Sequence, residues 1–174
     1  MFRRTTCRTA TDRRPAFASD QDSPGSGFSS SRVFQSDQRI PPRISPKVTA
    51  RLSTGGHYVK HRGARVSITD CSFDDSGGTE TNYMIDLPNG STGRIAGNWF
   101  VQGISKDNKS GFIVVGANDT SHSSDGLVIE DNQARLAPKA DWSSNFVADF
   151  TGEKLVMRRN TLGAGLKPYA RYNR

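Results

Sequence analysis

Four segments of this chain superimpose on one another, and that internal repeat limits the fold more than any other feature. They are Val66–Phe73 (VSITDCSF), Gly93–Phe100 (GRIAGNWF), Leu127–Ala134 (LVIEDNQA) and Leu155–Leu162 (LVMRRNTL). Each opens on an apolar alternation, turns at Asn (Cys71 in the first copy), and returns to an apolar residue two positions on. The aligned Ile68, Ile95, Ile129 and Met157 are 27, 34 and 28 residues apart. Periods of this size belong to solenoids, propellers and arrays. The composition suits such a fold. Only 33% of residues are hydrophobic and mean hydropathy is −0.63, which a repeat tolerates because each unit buries a narrow stripe.

A second apolar stretch precedes each copy: His57–His61, Tyr83–Leu87, Phe112–Gly116 and Phe146–Phe150. Each unit therefore reads strand, turn, strand, turn with Asn, then a loop of variable length. Stacked in parallel about 4.8 Å apart, equivalent residues form columns. The expected inward columns are His57/Tyr83/Phe112/Phe146, Val59/Ile85/Val114/Ala148 and Ile68/Ile95/Ile129/Met157. Asn98, Asn132 and Asn160 form an amide ladder at the turn, a known device of stacked strands. Tyr58, Met84, Ile113 and Val147 form an apolar column of outward parity, which reads as a covered or contact surface or as a shifted parity.

Residues 1–53 carry no sustained periodicity, and their Pro, Ser and Arg content predicts a disordered basic tail. Repeats are expected over 54–165 and a short tail over 166–174. Residues 1–55 hold 10 Lys/Arg against 4 Asp/Glu, whereas 56–174 hold 14 against 13. The net +7 thus sits in the tail, so a nucleic-acid partner is disfavoured for the repeat itself. Cys7 and Cys71 are too few for a disulfide framework and read as unpaired thiols. No apolar run is long enough for a membrane span.

The pattern resembles right-handed parallel β-helix proteins of the pectate-lyase-like superfamily. The stretches Gly56–Arg62, Tyr83–Gly90 and Asn98–Gly103 are similar to bacterial members of that group. The resemblance covers roughly residues 55–165. It implies an all-β, right-handed parallel β-helix (solenoid) of about four coils, secreted or periplasmic. Such proteins carry more coils, so the chain looks like the C-terminal part of a longer one. The fold hosts lyases, hydrolases, adhesins and tailspikes, so it implies no single reaction. The function it suggests is binding acidic polysaccharide, with β-elimination or hydrolysis in full-length relatives. The alternative is a non-catalytic adhesin, structural or tailspike-like solenoid.

Chemistry is expected on outward positions. Lys60, Asp86, Val115 and Asp149 share the expected outward column, with Arg62 two residues beyond Lys60. In superfamily lyases a basic side chain removes a proton beside a uronate carboxylate. Lys60, Arg62 and Asp86 are therefore the candidate catalytic residues, and Asp149 and Lys109 the candidate substrate contacts. The structural alternative is an exposed ion pair worth a fraction of a kcal/mol. His57 and His61 have inward parity and read as core residues. No residue set has zinc spacing, and no cofactor is expected. Calcium is conceivable at Asp74–Asp75, Asp107–Asn108 or Asn118–Asp119, where oxygen-rich turns are the alternative.

Overall fold

The computed structural model describes residues 49–51 and 54–173. These residues form strands and turns, with no helix among them. The first sheet stacks β1 (Thr49–Arg51), β5 (Ser72–Asp74), β9 (Trp99–Gln102), β12 (Gln133–Leu136) and β15 (Thr161–Leu162). The second stacks β3 (Val59–Lys60), β7 (Ile85–Leu87), β10 (Gly111–Val115), β13 (Ser144–Asp149) and β16 (Leu166–Arg171). The third holds β4 (Arg65–Thr69), β8 (Thr92–Ala96), β11 (Val128–Glu130) and β14 (Val156–Arg158). A small pair, β2 (Thr54–Gly56) and β6 (Thr79–Thr81), lies apart. All pairings are parallel. Parallel stacking of successive repeats is consistent with a β-solenoid.

The repeat carries three strands per pass rather than the two expected. The residues after each Asn turn, read as loop, pair instead across the first sheet. There Phe73, Phe100, Ala134 and Leu162 stand in register. A strand of two to four residues is too short to show its period in sequence. The expected C-terminal tail contributes β16, paired to β13 from Ser144↔Leu166 to Asp149↔Arg171. The expected disordered tail lies outside the described residues, except that Thr49–Arg51 pairs with Ser72–Asp74.

The third sheet follows expectation, with Ile68, Ile95, Ile129 and Met157 in register. So does the amide ladder. Asn132 Nδ2 donates to Ile95 O at 3.0 Å, and its Oδ1 accepts the Asn98 N–H at 2.9 Å. Asn160 Oδ1 likewise accepts the Asn132 N–H at 3.1 Å. The cause is backbone geometry. Asp70, Gly97, Asp131 and Arg159, each just before the turn residue, have φ of 55°, 67°, 55° and 54°. That left-handed step breaks the ladder of strand hydrogen bonds, and the amide side chains replace it. Cys71 has no side-chain amide to extend the ladder, and its N–H donates to Asn98 Oδ1 at 2.9 Å. It is not a free thiol, which corrects the expectation for it.

The second sheet departs by one residue. Ile85 pairs with Ile113 and Ile113 with Val147, so Met84, not Tyr83, is level with Phe112 and Phe146. Met84, Phe112 and Phe146 are fully buried. The Phe112 and Phe146 rings lie 6.4 Å and 5.8 Å from Phe100, which stacks on Phe73 at 4.9 Å. Tyr83 stays out because its hydroxyl needs a polar partner, which Ser110 Oγ supplies at 3.3 Å. The supposed outward apolar column of Tyr58, Met84, Ile113 and Val147 therefore packs into or against the core. The column of Lys60 and Asp86 continues as Val114, Ala148 and Ala170, not as Val115 and Asp149.

Candidate functional site

Asp86 sits at the centre of β7, one strand from Lys60 on β3. Its strand neighbours Ile85 and Leu87 belong to the core cluster, so alternation turns Asp86 to the opposite face, where its column mates Val114 and Ala148 are also fully buried. Lys60 Nζ lies 2.9 Å from Asp86 Oδ2, and His57 Nε2 lies 3.5 Å from the same oxygen. His57 Nε2 is also 3.4 Å from Lys60 Nζ. The side chains are 4% exposed for Asp86, 16% for His57 and 24% for Lys60. Among the described residues, two buried atoms of this group have no partner, Asp86 Oδ1 and His57 Nδ1. The His57 ring leans on Tyr83 at 5.6 Å between centroids.

Burial pushes the His57 imidazole below its ordinary range, Asp86 pulls it back up, and Lys60 and Lys106 push it down. It is therefore neutral at pH 7. A neutral imidazole uses Nε2 either to accept from Lys60 or to donate to Asp86. One atom thus faces two competing partners.

Lys60 and Asp86 meet as expected, and Arg62 does not join them. Its Nη1 donates to Asn89 Oδ1 at 3.0 Å, and Asn89 Nδ2 donates to Asp119 Oδ2 at 2.6 Å. His57 replaces Arg62 in the cluster. Inward parity had assigned it to the core, but it lies before the start of β3, where strand alternation does not apply. His61 is buried, and its Nε2 meets Arg65 O at 3.0 Å.

Lys109 Nζ rests 4.0 Å over the Trp142 ring. It precedes Ser110, whose hydroxyl reaches Tyr83, the ring beside His57. Asp149 is two strands from Asp86 and closes its own turn. Its Oδ1 accepts the Thr151 N–H and hydroxyl at 2.8 Å and 2.7 Å. Its Oδ2 accepts the Tyr169 hydroxyl at 2.5 Å. It makes no contact with the Lys60–Asp86 pair.

A second buried carboxylate was missed as an ion pair. Asp75 and the Lys106 side chain are both fully buried, 3.0 Å apart. Asp75 Oδ1 accepts Tyr58 OH at 2.6 Å, and Oδ2 accepts Thr81 Oγ1 at 2.9 Å and Gly103 N at 3.1 Å. Lys106 also donates to Asn82 O. Burial holds the Tyr58 phenol above and the Lys106 ammonium below their ordinary ranges, with Asp75 pulling Lys106 back up. Asp75 and Lys106 come from different loops, so no spacing rule links them.

The oxygen-rich turns are served by protein donors. Asp74 Oδ1 accepts Ser76 N at 3.0 Å, and Asp119 Oδ1 accepts Ser121 N at 3.0 Å. No cluster of three His, Cys, Asp or Glu suited to a metal occurs among the described residues. On the third sheet, Glu130 meets Arg94, Arg158 and Arg159 at 2.7 Å, 2.5 Å and 2.9 Å. Those arginines, rather than the core, cover its carboxylate. The Arg158 hydrogen bond does most to hold it below the usual carboxylate range.

No family model, curated protein or solved structure matches the chain. Function therefore rests on the geometry of these clusters.

Proposed function

We propose that the chain is a right-handed parallel β-helix of about four coils that binds acidic polysaccharide. The site is the outer side of the second sheet, around His57, Lys60 and Asp86. One observation carries the proposal: Asp86 Oδ1 is buried with no hydrogen-bond partner, while the other oxygen of the same carboxylate is engaged. A buried carboxylate oxygen without a donor is costly, and displacement of the side chains that cover it would open it to a ligand hydroxyl. Lys60 is the most exposed of the three side chains and is placed to meet a uronate carboxylate. Tyr83, Ser110, Lys109 and Trp142 extend the polar and aromatic surface onto the next strands.

Binding is preferred to cleavage because Arg62 is engaged by Asn89 and Lys60 and Asp86 neutralise each other. β-Elimination would still have a base available in neutral His57. The likeness to pectate-lyase-like proteins, and the secreted or periplasmic location it implies, belong to the same proposal. The adhesin or tailspike-like alternative shares the fold and differs only in lacking this site.

Affinity electrophoresis through polygalacturonate and neutral dextran gels tests the proposal. Retardation should occur only in polygalacturonate and should be lost in Asp86→Asn and Lys60→Gln. Equal retardation of wild type and both variants would assign binding to the basic tail and overturn the site. Release of an ultraviolet-absorbing unsaturated product would move the protein into the lyases.

A further inference from the structure

We propose that His57 gates this site by its charge, so that proton uptake at the imidazole frees Lys60 to hold an anionic ligand. The inference rests on the acidic-ligand proposal above and adds its regulation. Three groups converge on one oxygen. Asp86 Oδ2 lies 2.9 Å from Lys60 Nζ and 3.5 Å from His57 Nε2, with the two nitrogens 3.4 Å apart. The groups facing His57 are Asp86 from β7, Lys60 from β3, the Tyr83 ring, and Lys106 through space from its loop.

With His57 neutral, Lys60 is the one full positive charge in contact with Asp86 among the described residues. The ammonium is held, and the local charge of the pair is zero. A proton taken from solvent onto the imidazole makes Nε2–H an obligatory donor. It already faces the carboxylate and needs only a small ring movement to reach hydrogen-bond length. The imidazolium then takes over Asp86, and the cluster carries one net positive charge. Repulsion between the adjacent cations turns Lys60, the more exposed of the two, outward toward a ligand carboxylate. The orphaned His57 Nδ1 marks a ring held in place for reasons other than hydrogen bonding on both sides.

Reciprocity fixes the size of the effect. If bound ligand raises the imidazole pKa by one unit, affinity rises about tenfold on crossing the titration. Uronate carboxylates stay ionised across the window, so the ligand's charge is constant.

The experiment uses the full chain and hexagalacturonate. Calorimetric affinity is measured from about pH 5 to 8, across the histidine range, for wild type, His57→Gln and His122→Gln. The imidazole resonances are titrated by NMR with and without ligand. The expected result is affinity rising as pH falls in wild type and His122→Gln, a flat profile in His57→Gln, and a ligand-induced rise in the His57 pKa. Binding with the same slope in His57→Gln, or a His57 pKa unmoved by ligand, overturns the gate and leaves the site standing. No binding by wild type at any pH overturns the site and the gate together. The wild-type NMR titration tests the gate without relying on the folding of any variant.

Discussion

Asp75 and Asp86 are both buried, and both lie within 3.0 Å of a lysine. There the likeness ends. Asp75 accepts from Tyr58, Thr81, Gly103 and Lys106, so both of its oxygens are served. Asp86 has Lys60 and a distant His57 on one oxygen and, among the described residues, nothing on the other. Burial alone does not distinguish a fastening from a site. The state of the remaining lone pairs does, because an unpaired buried group is costly and persists where something other than stability maintains it. Asp75 with Lys106 ties two loops to the stack, while Asp86 keeps one oxygen without a donor among the described residues.

The largest expected difference is in stability. Lys106→Met leaves a buried carboxylate without its cation and should cost about 3–5 kcal/mol, read from the urea midpoint. Burial has already pushed the Lys106 ammonium below its ordinary range despite Asp75. The pair is therefore not a net source of stability, and adding Asp75→Asn to Lys106→Met should recover most of the loss. A Lys106→Met variant as stable as wild type would erase the contrast between the two carboxylates.

The contrast also marks what the chain discloses before folding. The Asn ladder, in three of the four copies, and the Ile68/Ile95/Ile129/Met157 column, in all four, were legible because recurrence is visible in one dimension. The Lys60–Asp86 pairing was legible for the same reason, as two aligned positions on neighbouring strands. The third strand of each pass was not, because two to four residues show no period. The register of β7 against β10 failed on chemistry. An aromatic match put Tyr83 level with Phe112, but a phenol seeks a polar partner and Met84 took the buried place. Asp75–Lys106 and His57–Asp86 were illegible because turns, not strands, bring them together, and turns carry no register.

Gln102 sharpens the comparison from another side. It is fully buried, and neither amide atom of its side chain has a partner among the described residues. It carries no charge and directly precedes Gly103, whose N–H joins the Asp75 fastening. An orphaned polar group of that kind is a cost and not a site. Gln102→Met should stabilise the fold by about 1 kcal/mol, because a similar volume replaces an undersatisfied amide. Destabilisation would mean that the amide is engaged, and would weaken the same inference at Asp86.

Asp86→Asn should change stability by less than about 1 kcal/mol, because partly exposed Lys60 can turn to water once its partner is neutral. The same substitution should abolish retardation in polygalacturonate. A loss of stability matching that of Lys106→Met would make Asp86 a second fastening.

The smallest effect concerns pH. Burial lowers the imidazole pKa of both His57 and His61 in the folded chain, so the unfolded chain binds protons more readily. Stability is then greatest above the unfolded histidine value of about 6.5 and declines as pH falls from there toward the folded values. Both side chains keep contact with polar groups, His57 with Asp86 and Lys60, His61 with the Arg65 carbonyl. The expected decline is therefore only a few tenths of a kcal/mol per residue after solvent screening. His57→Gln should remove its own share and His61→Gln the other, as read from thermal midpoints between about pH 7.5 and 5. A stability rising on acidification would reverse the sign and require that Asp86 outweigh burial at His57. The imidazole would then be charged at rest, and the gate would stand permanently open.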